Sequence, residues 1–209
     1  MPRPSFARRS QHLAAAALLI ATTGCSSAMN MNPSVSPDQS NSTNPPEKTL
    51  WKWPLRFTAH NFSAYTYSTY GAEIRYGHSP FMKEPDDKLQ ISSASLGEKY
   101  PNNMQGSHLS IRNFPPPAIV TWRSQDGTPH RAEVDMADIF KDGLIRHNLR
   151  REEIANNTNM FVPDIILEVN DRTINVYMRA HISTKALQKP GNKYSNFRND
   201  LIKVYSKTY

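Results

Sequence analysis

The chain has 209 residues, enough for one domain of ordinary size, and its single cysteine excludes a fold held by intramolecular disulfides. The formal net charge is +7, but residues 1–24 hold three arginines and no acid, so residues 25–209 carry 22 basic against 18 acidic side chains. These basic residues are scattered, which argues against nucleic-acid binding.

Residues 1–24 have the organisation of a secretory signal peptide. Arg3, Arg8 and Arg9 form a positive head, and an apolar run of Leu, Ala and Ile follows at 13–21. A helix over this run would rise roughly 14 Å, under half of a ~30 Å hydrocarbon core, so it is too short to cross a membrane.

A lipid-attachment motif follows the apolar run. Thr22, Thr23 and Gly24 precede Cys25, and this sequence resembles the lipobox of bacterial lipoproteins, although leucine is commoner than threonine at the first position. The resemblance implies cleavage before Cys25 and acylation of its thiol, with a buried free thiol as the alternative. Ser26, in place of Asp, implies by the same resemblance sorting to the outer membrane, with the protein facing the periplasm.

Residues 25–50 are rich in Ser, Asn and Pro and predict a flexible, lipidated tether. Such a segment has too little apolar area to offset the entropy lost on ordering. As a coil it would span roughly 25–30 Å, and two or more acyl chains would hold it stably on a membrane. Residues 51–209 are then predicted to form a single periplasmic domain.

Alternating patterns predict two β-hairpins in that domain. Ala118–Arg123 and His130–Met136 flank a turn at Asp126-Gly127, and Asp164–Val169 and Thr173–Ile182 form the second pair. The second hairpin should present one apolar face to the core, made by Ile174, Val176, Met178 and Ala180.

The remaining elements are less regular. Leu55–His60 and Ala72–Tyr76 predict two earlier strands, and Asp138–Ile154 predicts one or two short helices interrupted by Gly143. The last segment, Asp200–Tyr209, fits either a strand or a helix. The predicted fold class is therefore α+β and β-rich, a compact antiparallel sheet or sandwich with one or two short helices.

Two polar stretches, 79–113 and 185–199, contain few periodic apolar residues. Each contains prolines, including Pro190 before Gly191 in the second stretch. Loops of this length are usually functional or disordered. One long, partner-facing excursion from the domain is therefore expected.

Catalytic and metal-binding motifs are not evident in the sequence. The seven histidines show neither H-x-H nor H-E-x-x-H spacing, so we predict no metal and no cofactor. Gly77–Phe81 resembles a nucleophile elbow around Ser79 but ends in phenylalanine instead of glycine. Asp86 and Asp87 are adjacent, so their carboxylates point apart in an extended chain. We predict that the protein is not an enzyme; a hydrolase with a dispersed site is kept as an alternative.

Tyrosine and arginine, which often dominate protein interfaces, are concentrated in two places, residues 65–76 and the second hairpin. In the second hairpin Tyr177, Arg179 and His181 alternate outward, away from the apolar face. The candidate partner-binding residues are Tyr65, Tyr67, Tyr70, Arg75, Tyr76, Tyr177 and Arg179. The alternatives are an aromatic ladder within the core and an ordinary solvated face.

Together these features resemble small envelope lipoproteins, among them the immunity proteins that neutralise type VI secretion lipase effectors. The resemblance rests on the lipobox at Cys25, on Leu55–Phe62 and on Pro117–Gly127. It implies a lipid-anchored protein that binds and blocks a secreted phospholipase at the membrane. The alternative is a structural or assembly lipoprotein of an envelope or secretion complex.

Overall fold

The computed structural model describes residues 50–158 and 162–209, apart from the side chain of His108. The predicted signal peptide, Cys25 and the tether as far as residue 49 lie outside the described residues. In chain order the strands are β1 (Ala59–Tyr67), β2 (Thr69–Tyr76), β3 (Ser79–Lys83), β4 (Ser107–Arg112), β5 (Ala118–Ser124), β6 (Pro129–Val134), β7 (Asp164–Asn170), β8 (Thr173–Arg179), β9 (Ile182–Ser183), β10 (Phe197–Arg198) and β11 (Leu201–Thr208). The helical segments are a 3-10 segment at Ser93–Lys99, helix α1 at Met136–Ile139 and a 3-10 turn at Arg151–Glu153.

These strands build the predicted β-rich sandwich. One sheet has five strands in the order β11-β8-β7-β1-β4, a second has four in the order β3-β2-β5-β6, and β9 and β10 form a small ladder. Both predicted hairpins are present as the antiparallel pairs β5–β6 and β7–β8. The pair β1–β7 is parallel, so the five-stranded sheet is mixed where an antiparallel sheet was expected.

The main core lies between the two large sheets. The predicted apolar face of β8 and the residue after it is buried there, with Ile174, Val176 and Met178 fully inaccessible and Ala180 4% exposed. Alternation places every second side chain of a strand on the same face, which explains this agreement.

The opposite face of the five-stranded sheet is also covered. Met104, which follows the Ser93–Lys99 segment, is fully buried against Ile166 and Tyr177 and forms a second, smaller core. As a result β7 and β8 are buried on both faces over most of their length. The polar stretch at 79–113 contains β3, which joins the four-stranded sheet, the 3-10 segment that leads to Met104, and β4, which joins the five-stranded sheet.

The predicted helices are shorter than expected. Asp135 caps α1 by accepting a 2.8 Å hydrogen bond from Ala137 N, but the helix ends after four residues. Gly143 has a positive φ of 64°, and the Asp142 side chain accepts from Leu144 N, so a turn replaces the predicted continuation. Among the described residues, no helix combines the length and apolar character needed to span a bilayer.

The first predicted strand begins later than expected, and the last segment is now assigned. Of Leu55–His60 only Ala59 and His60 belong to β1, although Leu55 and Phe57 are buried. The C-terminal segment is a strand, because β11 pairs with β8 along its whole length. The Ser206 hydroxyl donates a 2.7 Å hydrogen bond to Asn175 Oδ1 across this pair.

Candidate binding site

Three of the tyrosines predicted to contact a partner are interior residues. Tyr67, Tyr76 and Tyr177 are 4%, 2% and 3% exposed. Tyr76 packs on Phe62 with ring centroids 4.4 Å apart, and its hydroxyl lies 3.0 Å from His60 Nε2. The prediction is therefore wrong for these three residues, because a partner could reach them only if the fold opened.

Tyr177 belongs to a buried polar centre on the covered face of the five-stranded sheet. Its hydroxyl donates to Glu168 Oε2 at 2.9 Å, and Asn175 Nδ2 donates to the same oxygen at 2.8 Å. Asn170 Nδ2 lies 3.4 Å from the other oxygen, Oε1. Glu168 is fully buried, and the ion pairs formed within the described residues do not include it. Burial and the nearby carboxylate raise the pKa of Tyr177, which keeps this hydrogen-bond donor protonated.

The other predicted residues do not form one patch. Tyr65 is half-buried and binds the backbone of the segment before β4. Its hydroxyl donates to Gln105 O at 3.0 Å and accepts from Gln105 N at 2.9 Å. Tyr70 lies on the four-stranded sheet with Arg123 over its ring, 5.2 Å from the centroid. Arg75 is exposed on the same strand as Tyr70. Arg179 lies on the five-stranded sheet, so the predicted set is divided between two sheets.

Arg179 lines an open polar groove of about 580 Å³ at one end of the five-stranded sheet. The groove lies where β1, β7 and β8 meet the segment that leads into β4. Its lining consists of Asn61, Gln105, Gly106, Ser110, Val162, Asp164, Arg179, His181 and Asn199. Seven of these nine residues carry polar side chains.

One wall of the groove is held together by a paired amide and carboxylate. Asn61 and Asp164 are register partners on the parallel strands β1 and β7, and Asn61 Nδ2 donates to Asp164 Oδ1 at 3.0 Å. Asp164 Oδ2 accepts from Gly106 N at 3.0 Å. Asn61 Oδ1 accepts from Leu109 N at 3.0 Å and from Ser110 N at 3.1 Å. These bonds fasten β4 to the sheet and occupy both Asp164 oxygens.

Gly106 is required at this wall for steric reasons. A Cβ atom added to it would lie 2.3 Å from Asp164 Cγ, well inside van der Waals contact. Glycine permits such close backbone approach because it has no side chain.

Arg179 and His181 contribute the basic side chains of the groove lining. Arg179 Nη2 donates to Asn102 O at 3.2 Å, whereas its buried Nε has no hydrogen-bond partner among the described residues. His181 is exposed and stacks on Phe197, with ring centroids 4.3 Å apart. An arginine fork beside a histidine and amides suits carboxylate or carbonyl oxygens presented by a ligand.

Sequence reasoning identified Arg179 but missed Asn61 and Asp164. The alternation of Arg179 and His181 along the second hairpin was visible, because both lie on one face of an extended segment. The missing information was the parallel pairing of β1 with β7, which brings together residues more than one hundred positions apart. A regular local pattern carries no signal for such a long-range pair.

The residues considered for catalysis lie elsewhere. Ser79 is exposed at the start of β3, and Asp86 and Asp87 lie in an exposed loop whose Asp86 carbonyl accepts from Arg123. His60 is fully buried, with Nδ1 2.7 Å from Asn113 Oδ1. Within the described ranges, no three His, Cys, Asp or Glu side chains are grouped as a metal site would require.

The fold and the groove thus define a β-rich sandwich with an open, donor-lined groove on one sheet. No protein-family model, curated protein or solved structure matches the chain.

Proposed function

We propose that this chain is a lipid-anchored envelope protein that binds a partner protein through the groove at Arg179 and neutralises it by occlusion. The observation that carries the proposal is Arg179 itself. Arg179 is partly exposed and lines the open groove at the end of the five-stranded sheet. A partner that presents a carboxylate or a carbonyl in the groove can therefore accept hydrogen bonds from the guanidinium of Arg179.

The surroundings of Arg179 suit a protein partner. Val162 in the groove lining is 41% exposed, and Leu109, which follows the groove segment in β4, is 48% exposed. Interface hot spots commonly combine an arginine anchor with apolar contacts that exclude water. The complementary element would be a loop that presents a carboxylate or backbone carbonyls to Arg179 and His181.

The lipid anchor and the class of partner rest on the sequence. The motif ending in Cys25 supports attachment to the outer membrane, and the resemblance to immunity lipoproteins supports a secreted phospholipase as the partner. A tethered inhibitor at the membrane meets a lipase at high local concentration, because linkage converts encounter into a nearly intramolecular event.

The partner can be identified by crosslinking in cells of the source bacterium. A photoreactive amino acid at position 181 probes the groove, and the same amino acid at exposed position 131 probes the edge strand of the four-stranded sheet. A single secreted enzyme captured from 181, absent from 131 and inhibited on binding supports the proposal. Capture of several components of one envelope complex from 181 favours the assembly role. Capture from 131 alone would contradict the groove assignment.

A further inference from the structure

The positive charge of the described domain is concentrated at its C-terminal end. Residues 171–209 carry eight basic and two acidic side chains, whereas residues 50–170 carry thirteen basic and fourteen acidic ones. Arg172 and Arg198 are neutralised by ion pairs with Asp126 and Asp200. Three exposed lysines of the loop 185–195 form no ion pair within the described residues: Lys185, Lys189 and Lys193.

This loop is held in one shape by hydrogen bonds at its base. Ser195 is 6% exposed, and its Oγ accepts from Lys189 N at 2.9 Å and lies 2.7 Å from Asn192 O. Thr184 Oγ1 donates to Ala186 O at 2.7 Å and accepts from Gln188 Nε2 at 3.1 Å. The basic side chains therefore project from a scaffold that is already ordered.

The loop also exposes two large hydrophobic residues. Leu187 is 47% exposed and Tyr194 is 72% exposed, the highest value among the exposed large hydrophobic residues of the described chain. Lys193 Nζ lies 5.0 Å from the centroid of the Tyr194 ring. Tyrosine at headgroup level with lysines beside it is typical of segments that rest on a membrane surface.

The first residue of the loop lies near Leu50 and Trp51, which follow the predicted tether. Leu50 N donates to Asn156 O at 3.0 Å, and Trp51 Nε1 donates to Ala155 O at 2.8 Å. The same stretch, residues 153–156, pairs with the start of the loop, because Lys185 N donates to Glu153 O at 2.9 Å. The segment leading from Cys25 therefore joins the domain close to Lys185, the first residue of the loop.

Acidic side chains near the loop do not cancel its charge. Glu152 and Glu153 both form ion pairs with Arg150, at 3.3 and 3.4 Å. Anionic lipid surfaces attract basic segments that lie within a Debye length of them, and a chain already anchored nearby needs only weak additional binding.

We infer that the loop 185–195 docks on anionic phospholipid headgroups and fixes the orientation of the domain on the membrane. The inference rests on the proposed lipid anchor, which keeps the domain within reach of the bilayer. With the loop on the lipid, the domain is held in one orientation, and the groove at Arg179 is presented to a partner in a defined direction.

The test uses the full acylated protein, purified from its host and reconstituted into vesicles. An Ala186→Cys variant carries an environment-sensitive fluorophore on the loop, at an exposed alanine. A Gln125→Cys variant carries the same fluorophore on the turn between β5 and β6, which contacts the turn between β7 and β8 because Gln125 N donates to Asp171 Oδ1. Mass spectrometry of the labelled protein shows whether Cys25 is acylated and therefore unlabelled.

In phosphatidylglycerol–phosphatidylethanolamine vesicles the probe at 186 should brighten and shift to the blue, with a much smaller change in phosphatidylcholine vesicles and none at 125. Changing Lys185, Lys189 and Lys193 to Glu should abolish the response. The matched variant, in which exposed Lys88, Lys99 and Lys141 become Glu, has the same net charge and should keep the response.

An acylated protein whose probe at 186 does not respond to anionic vesicles would overturn the docking while leaving the anchor intact. A response seen only after a protein partner is added would overturn the lipid docking and show that the loop binds protein. An unacylated Cys25 would overturn the anchor and this inference together.

Discussion

The hydroxyl of Tyr177 donates a 2.9 Å hydrogen bond to Glu168 on the neighbouring strand, in the interior between the five-stranded sheet and the segment that covers it. Neutral donors from Tyr177, Asn175 and Asn170 thus surround a carboxylate that is fully buried. A buried charged group is costly unless its hydrogen bonds are made. This centre consequently ties β7 to β8.

Removing that donor should destabilise the protein. Tyr177→Phe leaves Glu168 with one hydrogen bond fewer, and we expect the free energy of unfolding to fall by about 1–3 kcal/mol. Urea denaturation followed by circular dichroism measures the change. The matched control, Tyr194→Phe, removes a hydroxyl from an exposed ring and should change stability by less than about 0.5 kcal/mol. Equal effects of the two substitutions would show that the Tyr177 hydrogen bond adds nothing to stability.

A charge on the inner face of β8 should be more damaging. Val176 is fully buried in the core between the two large sheets, so Val176→Asp should cost several kcal/mol and can prevent folding altogether. Arg75→Asp places the same charge on an exposed strand position and should be tolerated. The urea midpoints of the two variants give the comparison, and a fully stable Val176→Asp protein would contradict the assigned core.

The contrast between these positions explains what the sequence could predict. Val176 follows a period of two with its neighbours, and local alternation was enough to assign its face. Tyr177 has the same period on the other face, which the sequence read as outward. That face is buried because Met104, more than seventy residues earlier in the chain, packs on it. Because the segment that covers this face is distant in sequence and irregular, the pattern of residues around Tyr177 does not reveal that the face is buried.

The prediction of the groove from the sequence was limited in the same way. Arg179 was identified by residue type, but Asp164 acquires its role only through Asn61 and Gly106, which the fold brings to it from elsewhere in the chain. The helix predicted after Asp138 failed for a different reason, since a turn at Asp142 and Gly143 competes with helix continuation.

Stability should depend on pH through His60. Burial lowers the pKa of His60 below its ordinary value of 6.5, despite the opposing hydrogen bond to Asn113. The unfolded chain therefore binds a proton at a pH where the folded chain does not. The stability contributed by neutral His60 is present above pH 6.5 and is lost as the pH falls towards the lower pKa of the folded state.

Unfolding free energies of the wild type and of His60→Gln, measured between pH about 7 and pH about 5, test this linkage. The wild type should lose stability more steeply than the variant on acidification, because only the wild type carries this imidazole. Half-buried His147, whose pKa is also lowered by burial, is present in both proteins and cancels in the comparison. Identical pH slopes would rule out a contribution from His60.

The lipid anchor makes a prediction of its own. Cys25→Ala removes the only thiol in the chain, so labelling with a palmitate analogue and cleavage before residue 25 should both be lost. Ser26→Ala, which keeps the thiol, serves as the control for labelling and cleavage. Unchanged palmitate labelling of the Cys25→Ala protein would contradict attachment at this position.

The central claim, that a partner binds in the groove at Arg179, is tested most directly by the affinity of that partner for two arginine variants. With the partner captured from position 181, Arg179→Ala should weaken binding by about 2 kcal/mol or more, roughly thirtyfold in Kd, since truncated interface arginines often cost this much. Arg75→Ala, on the other large sheet, should leave Kd unchanged. Wild-type affinity of the Arg179→Ala protein, or loss of binding in Arg75→Ala alone, would contradict the account.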